Sequence, residues 1–132
     1  MGVLLLFSCN NSKRSHSEKI QGEIEINLNN GAKWLVNSEM KPHIKKEEAL
    51  LVEYRLQKDQ DYQKLAKNLK TQNNALIKSC TMKGESHDAL HKWLYPYIEL
   101  IENLTKAENA EEASKIVFQL QKSFTLYNNT FR

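Results

Sequence analysis

Four side chains of metal-binding type fall within twelve positions: Cys80, Met82, His87 and His91, in the stretch KSCTMKGESHDALHKW. Between them they offer a thiol, a thioether and two imidazoles. His87 and His91 are four residues apart. On a helix that spacing stacks two imidazoles one turn apart, where they can share one ion. Cysteine with histidine suits zinc. Adding a thioether moves the preference toward copper, Cu(I) above all. A copper ion is therefore the expected ligand, with zinc behind it. No Cys-x-x-Cys-His stretch is present, so covalent c-type haem is not expected. A non-covalent haem held by His or Met in a bundle core stays open.

The elements that must position these residues are helical. From Pro42 onward the sequence carries apolar stripes of helical period. A first helix is expected over about 43–57, with Ile44, Leu51 and Tyr54 on one face, joined by Leu50. A second over about 62–79 carries Tyr62, Leu65, Ala66, Leu69, Leu76 and Ile77. A third is expected to start at Ser86 as N-cap and run through Leu90, Leu94, Ile98, Ile101 and Leu104. Pro96 lies inside it and should kink or split it. A fourth over about 110–127 presents Ala113, Ile116, Val117, Leu120 and Phe124. The fold class expected is all-α: an up-down-up-down four-helix bundle over 42–128, with a short N-terminal β-hairpin over 23–37 in the same domain. Ile24, Ile26 and Leu28 alternate with polar residues before Asn29-Asn30-Gly31, which reads as the hairpin turn. Trp34 is the residue expected to close that end of the core.

On these helices Cys80 extends the core stripe of the second helix. His87 and His91 share the register of Leu94, Ile98 and Ile101, and so are expected to point inward. Met82 lies in the loop between the two helices. The positive end of the third helix favours thiolate at Cys80 and neutral imidazole, the metal-binding forms. Bundle topology brings the start of the first helix to the same end, adding Met40 and His43 as weaker ligands. Taken singly, each residue has an ordinary use: Cys80 as a small buried hydrophobe, His87 as a cap, His91 as a satisfied boundary histidine, Met82 and Met40 as gap-fillers. Trp93, Tyr95 and Tyr97 read as packing.

Composition excludes several functions. The chain has 132 residues, 40% hydrophobic and 27% charged, with a formal net charge of +3. Mixed Lys and Glu, with no long basic block, give no footprint for nucleic acid. No apolar run approaches the roughly 20 residues needed to span a bilayer. There is no nucleophile elbow, Gly-rich phosphate loop or Walker-type lysine. A Cys80–His87 thiol–imidazole pair would lack a third orienting group, so an enzyme is not expected.

The first nine residues, MGVLLLFSC, form an apolar run ending in Leu6-Phe7-Ser8-Cys9. This resembles a bacterial lipobox, in which the cysteine is lipidated; a frayed apolar N-terminus is the other reading. Residues 1–9 are thus read as a lipoprotein signal and 10–22, polar and without periodicity, as a tether. The protein is expected in the periplasm, anchored by lipid at Cys9 to the cell envelope, on the outer membrane. Cys80 then has no disulfide partner within the chain.

The span from Ile24 to Phe131 resembles small helical lipoproteins of Bacteroidota. The residues that carry the resemblance are NGAKWLVN and a Cys-x-Met-x-Gly-x-x-His-Asp-x-Leu-His stretch, met here by Cys80, Met82, Gly84, His87, Asp88, Leu90 and His91. The resemblance implies the fold and the envelope location and brings no activity with it. The expected function is binding of a soft metal, copper first, for buffering, sensing or delivery. The alternative is a metal-free adaptor whose surface docks an envelope protein partner.

Overall fold

The computed structural model describes residues 24–132. The expected lipobox with Cys9, the tether over 10–22 and the first hairpin residue at 23 lie outside them. Four helices follow a single 3-10 turn at Ser38–Met40: α1 Lys41–Leu56, α2 Tyr62–Ser79, α3 Gly84–Lys106 and α4 Ala110–Thr130. Each helix packs on the next, and α1 also meets α4, so the chain forms a closed helical bundle.

The helix ends are specified locally. Pro42 sits in the first turn of α1, where its missing N–H costs nothing. Asp61 caps α2 by accepting from Lys64 N at 3.0 Å. Asn109 caps α4 by accepting from Glu112 N at 2.8 Å, and Glu112 reaches back to accept from Glu108 N at 3.1 Å. α3 departs from expectation at its start. It begins at Gly84, whose φ of +71° favours glycine, with Lys83 as cap. Ser86 lies inside the first turn and donates back to the Lys83 carbonyl at 3.2 Å.

α3 also runs unbroken through Pro96. Proline removes the N–H that would bond the carbonyl of Lys92, and Lys92 is exposed, so water can satisfy that carbonyl.

The end contacts fix the arrangement. Asn37 at the head of α1 donates to the Ser79 carbonyl at the foot of α2, at 2.8 Å. Tyr62 at the head of α2 donates to the Ala107 carbonyl just past α3, at 3.3 Å. Trp93, early in α3, donates to the Ser123 carbonyl late in α4, at 2.8 Å. The core between them holds Leu51, Leu69, Leu76, Leu90, Trp93, Tyr97, Leu104 and Leu120 among others.

The expected hairpin is not a sheet. Asn30 and Gly31 both take positive φ, 50° and 85°, and close a tight turn with paired hydrogen bonds between Asn29 and Ala32. No strand forms among the described residues. The returning segment instead joins the C-terminus in parallel. Trp34 N donates to Thr130 O, Arg132 N to Trp34 O and Val36 N to Arg132 O, at 2.9, 2.9 and 3.0 Å. The backbone groups that a hairpin ladder would have used are taken by the chain end. Trp34 packs half-buried against the core and donates its indole N–H to the Asn27 carbonyl at 2.7 Å.

Candidate functional site

Cys80 is the residue that ends α2. Its backbone N–H donates to Ile77 O, and its free thiol lies half-buried against the core beside the similarly placed Met82. The 80–83 loop is held by Asn37, which donates to Ser79 O and accepts from Thr81 N at 3.1 Å. The expected core stripe of α2 therefore does run out into a thiol.

The histidines take a different position from the inward one expected. The buried face of α3 is Ala89, Leu90, Trp93, Leu94, Tyr97, Ile101 and Leu104. Trp93 and Tyr97, stacked with centroids 4.8 Å apart and 15° between planes, claim the interior because they bury the most area. That rotates His87 and His91 to the margin, where both are half-buried. In α2, Ile77 is likewise exposed rather than part of the stripe.

At the margin the two imidazoles meet. Their ring centroids are 4.1 Å apart, tilted by 58°. Tyr95, one turn on and 60% exposed, shares a hydrogen bond of 3.2 Å with Nδ1 of His91. When Nδ1–H donates to the tyrosine oxygen, Nε2 carries the lone pair and faces outward from that bond. A histidine ligand is usually oriented by such a partner on its other nitrogen.

The rest of the expected ligand set is not gathered around them. Among the described residues no group of three or more His, Cys, Asp or Glu side chains is placed to hold an ion. Cys80 therefore does not combine with both histidines into one seat. Met40 is a core residue, 1% exposed, and His43 is half-buried on α1.

A second polar cluster lies in the core, and the sequence reading missed it. Glu47 has no exposed surface. Its Oε1 accepts from the Tyr97 hydroxyl at 3.2 Å and its Oε2 has no partner. Burial pushes its carboxyl up to about 8, against a smaller opposing effect of the Tyr97 hydrogen bond, so the neutral acid prevails at pH 7. The same burial, with Glu47 beside it, holds the Tyr97 hydroxyl well above its usual range.

Asn73 of α2 is also buried and its Oδ1 has no partner. Asn73 is eleven residues past Tyr62 and Tyr97 ten before Ala107, so at about 1.5 Å per residue the two stand at similar heights. The signal was in the periodicity. Position 47 falls between Ile44 and Leu51, and 73 between Leu69 and Leu76, each on its helix's apolar stripe.

No helix of the described residues is long and apolar enough to cross a membrane. No family model, curated protein or solved structure matches the chain.

Proposed function

We propose that the protein is a lipid-anchored helical bundle of the cell envelope that binds a transition-metal ion through His87 and His91. The observation that carries this reading is the pair of half-buried imidazoles in ring contact at 4.1 Å, with Tyr95 hydrogen-bonded to Nδ1 of His91. Both imidazoles stand on one helix, four residues apart and already in ring contact, which lowers the ordering needed on binding. Cys80 and Met82 become packing residues at the neighbouring loop. Imidazole without thiolate suits copper(II) or zinc(II) better than copper(I), which shifts the expected metal away from the softest choice. The envelope location rests on the lipobox-like run ending at Cys9 and on the resemblance to Bacteroidota lipoproteins. The role that fits is buffering or delivery, with no chemistry done on the ion.

The test is a competition titration of the Cys9→Ser chain against a chromophoric chelator. His87→Ala and His91→Ala should each weaken copper(II) or zinc(II) binding at least about tenfold, and Cys80→Ala should leave it unchanged. Equal affinity in all four proteins overturns the reading. Loss on Cys80→Ala would restore the soft-metal seat.

One observation favours the metal-free adaptor as a second reading. Val52 and Leu56 of α1 are 56% and 81% exposed, one turn apart, and Phe118 of α4 is 57% exposed. The α1–α4 seam, lined by Val52, Arg55, Gln121 and Phe124, is a shallow groove beside Val52. Isolated exposed apolar residues are ordinary, but Val52 and Leu56 share one face of α1, and Val52 borders the groove, the kind of surface a docking helix uses.

A further inference from the structure

We infer that the metal seat is completed by a second copy of this chain, so that His87 and His91 from each of two molecules surround one zinc ion. The inference rests on the two-imidazole reading above and adds the partner.

Zinc takes four ligands in a closed site. The described residues of one chain bring together two imidazoles and no third His, Cys, Asp or Glu. Among the described residues the seat is thus half a coordination sphere, and it lies at the margin of the helix surface, where a second molecule can approach. A two-fold axis through this point duplicates the half-site, and two-fold pairing is the commonest way for a protein to meet itself. Four neutral imidazoles then close the tetrahedron.

The surroundings match that geometry. Tyr95 presents a large aromatic ring, 60% exposed, directly beside His91, with ring centroids 4.8 Å apart. It offers apolar area to bury at the edge of the seat. Asp88 and Lys92 are both exposed, one turn apart and of opposite sign, on the outer face of α3. If α3 crosses its copy antiparallel with the two-fold axis level with position 90, one residue from the midpoint of His87 and His91, Asp88 comes opposite the partner subunit's Lys92. The same exchange occurs on the other side. The pattern is self-complementary, as an isologous contact requires.

Sedimentation velocity on the Cys9→Ser chain, with zinc(II) titrated in and then removed by EDTA, tests this. The expected result is a monomer without zinc and a dimer with it, holding about one zinc per two chains, reversed by EDTA and abolished by His91→Ala. Asp88→Lys should weaken the zinc-dependent dimer, and Asp88→Lys with Lys92→Asp should restore it. Zinc binding at about one ion per chain with the protein still monomeric overturns the inference and leaves the two-imidazole reading standing. No zinc binding to the Cys9→Ser chain overturns the inference, and the two-imidazole reading falls with it only when copper(II) is not bound either. A dimer that survives His91→Ala also overturns the inference, because the contact would not depend on the seat.

Discussion

The Tyr97 hydroxyl donates to Oε1 of Glu47 across 3.2 Å, inside a core from which both side chains are wholly excluded from solvent. Glu47 comes from α1 and Tyr97 from α3, so the bond ties two helices that are not neighbours in sequence. A carboxylate so placed has one acceptor oxygen without a donor. Burial penalises the charged form, and protonation removes the charge, which is why the folded state holds the proton up to about pH 8.

The pH dependence of stability follows. Glu47 ionises near 4.5 when unfolded and near 8 when folded. Between those values the folded chain keeps a proton that the unfolded chain has lost. Stability from this group is thus full below about pH 4.5 and falls as pH rises to about 8. At about 1.4 kcal/mol per pH unit, the loss is of the order of a few kcal/mol. Glu47→Gln carries no charge and keeps an acceptor for Tyr97. Urea melts should show this variant flat across that window and more stable than the parent at pH 8. A variant that tracks the parent at every pH would show that Glu47 is not the group responsible.

Asn37 links the head of α1 to the loop that carries Cys80, through Ser79 O and Thr81 N. Asn37→Ala removes both bonds and should cost about 1–2 kcal/mol. It should also loosen the loop, so thiol labelling of Cys80 in the Cys9→Ser chain should become faster. An unchanged labelling rate would mean that α2 alone fixes the loop.

Phe131 is 3% exposed and stacks on Tyr127 with centroids 5.1 Å apart. It lies where the C-terminus pairs with Trp34 and Val36. Phe131→Ala should destabilise by about 3 kcal/mol or more, with the Trp34 fluorescence becoming more solvent-exposed. A loss below about 1 kcal/mol would show that the terminal pairing contributes little.

The helices were legible because their stripes are long and periodic, and α2 and α4 lie close to where the spacing put them. The start of α3 was misplaced because Ser86 is a good cap residue by type, while Gly84 supplies the conformation the chain uses there. The Asn30-Gly31 turn was readable from its dipeptide, but its ladder was not. The groups at Trp34 and Val36 pair with residues about a hundred positions away, and short-range pattern carries no trace of that. The inward placement of the histidines failed for a similar reason. Positions 94 and 101 belong to two competing stripes, and only the packing of Trp93 and Tyr97 between α3 and α4 decides which one is buried. Glu47 and Asn73 lie on the apolar stripes of their helices, and the stripe alone does not distinguish a polar residue buried within it from one that turns its head group to solvent.

The pairing of His87 with His91 is the claim on which the functional account stands. Nitrogen-15 NMR of the histidine rings in the Cys9→Ser chain, as zinc(II) is added, reads it directly. The account predicts that Nε2 of His91 and one ring nitrogen of His87 shift together and saturate at the same zinc level. The Cβ carbon of Cys80 and the methyl of Met82 should keep their positions. Histidine signals that stay still, or Cys80 and Met82 signals that move first, would contradict it.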